Sequence, residues 1–240
     1  MLLNPHQPGS TPTLSDRVFE WLAEQLVSGA LRPGQWVSEN EVAAQLGVSR
    51  SPVREAFVRF ASEGLVEARP RRGTIMAELD PDVADDLYRT RLLIEPEMAR
   101  MAVVHAREED VQKAVAITEE MRQAVGEPRS FYVALLHLYQ LMMDICPSAT
   151  VRDIVAMLWR RSLRFRGIVF RIPSWEPQRE ALLFAERFVE LARVHDADGA
   201  STAMKQLLEN TQRAVHDYLA VTIGKAESFS AQPPAARASA

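Results

Sequence analysis

Glycines and one basic turn punctuate residues 38–73 so regularly that few folds remain open to them. Ser38-Glu39-Asn40-Glu41 opens a short helix, with Ser38 as N-cap and Glu41 three residues on, the capping-box arrangement. Val42, Ala43 and Leu46 form its apolar face, and Gly47 stops it. Ser49 caps the next helix, where Pro52 falls in the first turn and its missing N–H costs little. Val53, Ala56, Phe57, Phe60 and Ala61 make that helix's buried face, and Gly64 ends it. An earlier run over 14–28 puts Leu14, Val18, Trp21, Leu22 and Leu26 on one helical face before Gly29, Pro33 and Gly34 break it. Residues 65–68 and 74–77 are β-compatible, and Pro70-Arg71-Arg72-Gly73 joins them as a hairpin tip. Three helices followed by a two-stranded hairpin predict a winged helix-turn-helix.

Asp80-Pro81-Asp82 starts a longer pattern, and from there to about Gly224 only helical periods occur. The first, over 83–105, contains Pro96, which is expected to kink or split it. Further helical runs cover 108–125, 131–145, 148 to about 170, 176–194 and 198–221, an all-α bundle. A chain of 240 residues suits two domains. The predicted fold class is mostly α: an N-terminal winged helix-turn-helix followed by an all-α helical bundle. The expected boundaries are a mobile arm over 1–13, the DNA-binding domain over 14–78 and a linker over 79–84. The all-α domain follows over 85–224, then a disordered tail over 225–240.

Charge narrows how such a chain would bind nucleic acid. With 28 basic against 32 acidic side chains the net charge is −4, which excludes binding through bulk positive charge and leaves a local basic face. Residues 14–78 hold eight arginines, no lysine and nine acids, so the positive charge is focused. Ser49, Arg50, Ser51 and Arg54 fall on the outward side of their helix, and the hairpin tip adds Arg69, Arg71 and Arg72. Arginine bonds guanine bidentately, while hydroxyls and helix-end N–H groups hold phosphates. Gly73 permits close backbone approach. Any one of these arginines alone reads as a solvated face; the ordered set points to double-stranded DNA. Cys146, the lone cysteine, has no internal disulfide partner and suits a reducing compartment. No apolar run reaches the length of a membrane span and no secretory pattern opens the chain, so the expectation is a soluble cytoplasmic protein without a membrane partner.

The run Leu31-Arg32-Pro33-Gly34, Ser38-Glu39, Leu46-Gly47-Val48-Ser49-Arg50-Ser51-Pro52-Val53-Arg54-Glu55-Ala56, Glu63-Gly64-Leu65-Val66 and Arg72-Gly73-Thr74 resembles the GntR family of bacterial transcription regulators. The resemblance covers about the first third of the chain. It implies operator contacts at Asn40, Arg50, Ser51, Arg54 and the wing-tip Arg72-Gly73, with a homodimer reading an inverted repeat and repression as the commoner mode. Asp85-Asp86-Leu87-Tyr88-Arg89-Thr90-Arg91-Leu92-Leu93-Ile94-Glu95-Pro96, with Asp196, Ala200, Ala203 and Met204, is similar to the FadR-like branch with an FCD-type effector domain, which implies that the all-α helical bundle over 85–224 is an effector-binding and dimerisation domain. That branch usually holds a divalent metal with an Asp, a His four residues later and two further histidines. Here the matching places carry Leu135 and Tyr139, then Arg187 or Ala185, then Leu207 or Glu209. His137, His195 and His216 fall off those places, so no metal and no cofactor is expected.

In the metal's stead the expectation is a small organic, acidic effector held by Arg91, Leu135, Tyr139 and Arg187, with the arginines as anion partners. Leu135, Leu136, Tyr139, Met142, Met143 and Trp159 recur at helical spacing, a stripe open to two readings, simple core or ligand box. Arg160, Arg161, Arg164, Arg166 and Arg171 form a basic run that is either a solvated face or a set of anion ligands. No phosphate loop, nucleophile elbow or His/Asp/Glu cluster supports catalysis, so no enzyme is expected. Two alternatives remain: a small-molecule enzyme fused to a remnant DNA-binding fold, metal-dependent or not, and a regulator whose bundle only dimerises.

Overall fold

The structure, a computed structural model, describes residues 12–69, 73–169 and 176–230, with side chains through 222. The N-terminal unit holds α1 (Leu14–Ser28), β1 (Trp36–Val37), α2 (Glu39–Leu46), α3 (Arg50–Ser62), β2 (Val66–Arg69) and β3 (Gly73–Met76). A reciprocal capping box starts α1: the Thr13 hydroxyl accepts the Asp16 N–H, and the Asp16 carboxylate accepts the Thr13 N–H at 2.8 Å. The same carboxylate pairs with Arg59 on α3 at 2.7 Å, and that guanidinium lies 4.5 Å over the Phe19 ring. One buried acid thus both begins α1 and docks it on α3, where Phe19 meets Phe60 edge-on at 4.7 Å.

The wing has three antiparallel strands in the order β1-β3-β2, rather than the expected two. Val37 pairs with Thr74, and Arg69 pairs with Gly73. At two residues, Trp36–Val37 is too short for apolar alternation to register. The Gly34 N–H donates to the Met76 carbonyl at 3.0 Å and the Met76 N–H to the Gln35 carbonyl at 2.8 Å, which extends this edge.

The C-terminal unit consists of α4 (Pro81–His105), α5 (Glu108–Gln123), α6 (Pro128–Ile145), α7 (Ala149–Arg161), α8 (Leu163–Val169), α9 (Glu176–Arg193) and α10 (Ala197–Ser230). The long helices α4 and α10 pack along one another, α5 packs on α6 and α9, and α7 packs on α4. The short α8 lies against α10 and reaches back onto α1. One apolar cluster consequently spans both units, from Val18, Val53 and Phe60 to Met98, Tyr139 and Trp159. Among the described residues no helix is long and apolar enough to cross a membrane.

Several expected boundaries move. Asp80 caps α4 by accepting the Asp82 N–H at 2.9 Å, with Pro81 in the first turn, so the helix begins inside the expected linker. Instead of splitting, α4 runs on through the buried Pro96; Met98, Ala99, Ala102 and Val103, all buried, outweigh one lost backbone hydrogen bond. The helix expected over 148–170 breaks at Ser162, whose hydroxyl donates back to the Trp159 carbonyl at 2.7 Å. Helix α10 continues to Ser230, six residues into the expected tail; 231–240 and residues 1–11 of the expected arm lie outside the described residues.

Candidate functional site

Helix α3 presents its N-terminus outward. Ser49 is its N-cap in extended conformation, yet its hydroxyl makes no capping hydrogen bond, so hydroxyl and first-turn N–H groups stand open to an acceptor. Arg50, Ser51 and Arg54 are exposed, while Val53, Ala56, Phe57 and Phe60 point into the core. Ser38 caps α2 through the Glu41 N–H at 3.5 Å, which leaves Asn40 exposed in the first turn beside α3. Gly73 is exposed at φ +100, a conformation that side chains resist, and its chain reversal brings the wing alongside.

A single concave face gathers Trp36, Ser38, Asn40, Arg50, Gly73 and Thr74. A second depression, against the start of α1, carries Ser51 and Arg54. The structure therefore brings Asn40, Arg50 and Gly73 together on one side of α3 and Ser51 with Arg54 on another. Arg71 and Arg72 lie outside the described residues. Glu39 and Glu41 share the concave face, Arg69 is paired with Glu67 at 2.7 Å, and on α3 Arg59 is committed to Asp16, which leaves Arg50 and Arg54 as the exposed cations of α3. Trp36, half exposed on β1, was not among the expected contacts and joins this face only through the third strand.

A second set of polar side chains lies inside the bundle. Arg91 and Glu95, one turn apart on α4 and almost fully buried, form a two-bond fork at 2.6 and 3.1 Å. The Tyr139 hydroxyl donates to the same carboxylate at 2.9 Å, and its ring lies 4.2 Å from that of Trp159. Beyond Trp159, the Arg166 guanidinium stacks 3.4 Å over the indole, and its Nε donates to the Ser162 hydroxyl at 3.0 Å. Burial opposes charge on Arg91, but the Glu95 carboxylate together with Tyr139 and Tyr88 outweighs it and raises the guanidinium above its ordinary value. Burial raises Tyr139 well above the usual phenol range, with the Glu95 charge adding to it. Arg166 is pushed down to about 10, by burial first and then by the nearby Arg91 charge.

Leu135 and Tyr139 occupy this interior as expected, with Arg91 beside them, whereas Arg187 does not. Arg187 is exposed on α9, because the inward positions there are Phe184, Ala185, Phe188 and Val189. The expected inward arginine at 187 is thus corrected: the second arginine inside the bundle is Arg166. The residues at the family's metal positions do not fit a divalent cation. Leu135 has no donor atom, and the Tyr139 hydroxyl keeps its proton in a bond to Glu95. His137 faces Glu120 on the exterior, His195 sits at 2.9 Å from the Val103 carbonyl, and His216 is exposed.

The basic run of α7 and α8 proves to be neither a solvated face nor a single ligand set. Arg160 and Arg161 both reach Glu63 at the C-terminal end of α3, at 2.5 and 3.5 Å, and Arg164 donates to the Gly64 carbonyl at 3.3 Å. Cations at a helix C-terminus also suit its dipole. Arg129 on α6 adds a pair with Glu24 on α1 at 2.5 Å. Arg171 lies outside the described residues.

Comparison with known proteins agrees with both halves. The family described as bacterial regulatory proteins, gntR family, matches residues 14–76, and the FCD domain matches residues 86–210. The HTH-type transcriptional repressor RspR of Escherichia coli (strain K12) is 27% identical over 89% of this chain and 91% of its own length. A probable D-xylose utilization operon transcriptional repressor of Paenarthrobacter nicotinovorans is 29% identical over 58% of this chain and 62% of its own. Among solved structures, E. coli McbR/YncC superposes with a TM-score of 0.77 at 21% identity, over 87% of this chain and all of that one, which shows a shared fold.

Proposed function

Since the chain belongs to the gntR family of bacterial regulatory proteins and carries an FCD domain, it is a DNA-binding transcriptional regulator, and we propose that it acts as a repressor whose operator affinity is set by a small organic acid held in the helical bundle. The observation that carries the DNA-binding half is the open N-terminus of α3, with Ser49 uncapped and Arg50, Ser51 and Arg54 exposed. Laid in a major groove, this end gives Arg50 and Arg54 to base edges and Ser49 and Ser51 to phosphates. Asn40 and Gly73, on the adjoining concave face, meet the flanking backbone, and the family resemblance adds Arg72, which lies outside the described residues. Repression is supported by the two repressors among the relatives. We take the working form to be a cytoplasmic homodimer on an inverted repeat, since two-fold symmetry in the protein would be mirrored by two half-sites.

The effector half draws on the interior arginines and on the contacts between units. Arg160, Arg161 and Arg164 hold the far end of the same helix whose near end faces DNA. A ligand that moves α7 or α8 therefore acts on α3 directly, in addition to the covalent link near residues 78–80. Fluorescence anisotropy with a duplex from the protein's own promoter, across a salt series, tests the reading. Arg50→Ala and Arg54→Ala should each weaken binding by about tenfold or more, the value of a bidentate base contact. A double variant with unchanged operator affinity would refute the assignment of α3 as the reading helix.

A further inference from the structure

We propose that Arg166 anchors a buried anion site between α8 and Trp159, which takes the carboxylate of a small acid with an apolar body. The proposal rests on the reading of the bundle as an effector domain and supplies its binding group. Arg166 is only 6% exposed, and its Nη2 has no hydrogen-bond partner. Trp159 Nε1, fully buried under the same guanidinium, has none either. Two buried donors without an acceptor, one of them charged, mark a place where an acceptor belongs.

Charge counting gives the ligand's sign. Among the described residues the charged groups buried in the bundle are Arg91, Glu95 and Arg166, a net charge of +1. Glu95 is engaged by Arg91 through both oxygens and by the Tyr139 hydroxyl through one, so it neutralises Arg91 rather than Arg166. Of the residues whose side chains are not described, 1–11, 70–72 and 170–175 contain no Asp or Glu, and residues 223–240 contain one acidic side chain, Glu227. Arg160 and Arg164 also carry an unpartnered nitrogen, but Glu63 answers the first, and Asp80 and Glu67 lie near enough to the second to favour its charge. Burial and Arg91 both disfavour the charge on Arg166, and an anion reverses exactly that imbalance while leaving Arg91 and Glu95 as they are.

The surroundings give the ligand's class. One negative charge balances the site, whereas a phosphate dianion would overshoot it. Two planar donors, a guanidinium edge and an indole N–H, match two oxygens of one carboxylate. Phe165, Leu163 and the Tyr139 ring are apolar neighbours in sequence or space, and Met204, 3.6 Å from the Tyr139 hydroxyl, is a side chain that yields easily to a ligand's body.

Thermal melts and calorimetry on the full chain test this, with benzoate and hexanoate as probes and benzamide, chloride and inorganic phosphate as controls at equal ionic strength. The expected result is a melting point raised by a carboxylate and not by the three controls. Arg166→Met should melt at or above the ligand-free wild type, because an uncompensated buried charge is gone, and should bind the carboxylate at least about tenfold more weakly. Trp159→Phe, which removes one donor, should weaken binding by about threefold or more and serves equally if Arg166→Met fails to fold. A shift kept in full by both variants would overturn the site while leaving an acidic effector elsewhere in the bundle. A shift with phosphate alone, or with no carboxylate, would overturn it too. Operator anisotropy on the same samples is independent of these outcomes: loss there would count against the regulator reading and not against Arg166.

Discussion

Glu95 shows how much rests on a single side chain in the bundle. It is fully buried, and its carboxylate answers both the Arg91 fork and the Tyr139 hydroxyl. Glu95→Gln would leave Arg91 charged in the interior, and urea denaturation should record a loss of about 3–5 kcal/mol. The double change Arg91→Met with Glu95→Leu removes both charges and should cost far less, within about 1–2 kcal/mol of wild type, since a well-packed apolar pair often replaces a buried ion pair at little loss. Equal losses in the two variants would show that packing, not charge, holds this position. At this scale the sequence was readable where an arginine had a partner in register and misleading where it did not. Arg91 and Glu95 lie four residues apart on one helix, so their pairing could be seen as an Arg-x-x-x-Glu pattern. Arg187 was placed inward by family position alone, although Phe184, Ala185, Phe188 and Val189 already fix the inner face of α9 and put 187 outside it. Arg166 is the reverse case. It sits in a run of arginines that looks solvated, and only the tertiary placement of α8 against α1 and α10 buries it.

At the scale of elements, α3 and the wing meet at the concave face. The helix ends and turns of the first unit were legible because each depends on local chemistry: the Ser38 hydroxyl caps α2, Gly47 ends it at positive φ, and Ser49 takes the extended N-cap position of α3 with its hydroxyl left uncommitted. The third strand was not, because Trp36–Val37 acquires its conformation from pairing with β3 rather than from its own pattern. Continuity of α4 through Pro96 is likewise a tertiary effect that local propensity opposes. Gly73 gives the wing a test of its own. At φ +100 an added Cβ meets strain in the backbone rather than a clash, since its nearest neighbour is the Trp36 ring at 3.9 Å. Gly73→Ala should therefore cost about 1–2 kcal/mol locally, lower operator affinity by severalfold, and leave the melting of the bundle unchanged. Anisotropy and differential scanning calorimetry measure the two effects; full affinity in this variant would remove the wing from the DNA contact.

For the whole molecule the question is how a ligand held in the bundle, as proposed, would act on DNA. Glu63, 11% exposed, closes α3 and receives Arg160 and Arg161 from α7, while Arg164 bonds the carbonyl of Gly64 next to it. This clamp joins the two units at the end of α3 opposite Ser49, and α8, which carries Arg166, is the helix that also packs on α1. A ligand changes operator affinity only by its differential free energy for the arrangements of the two units. If the clamp carries that difference, Glu63→Gln should cost about 1–3 kcal/mol of stability, between the values of an exposed and a buried ion pair, because Glu63 and Arg160 are mostly shielded. Ligand-free operator affinity should stay within a few-fold of wild type, since Glu63 is far along α3 from Arg50 and Arg54, yet the change in affinity caused by a bound carboxylate should be lost. Linkage adds a second check on the same pair of proteins: in the wild type, operator DNA must change carboxylate affinity by the factor by which carboxylate changes operator affinity, and in Glu63→Gln both factors must fall to one together. A variant that keeps the full carboxylate effect would move the coupling to the backbone connection at residues 78–80, where Asp80 starts α4 directly after the wing domain.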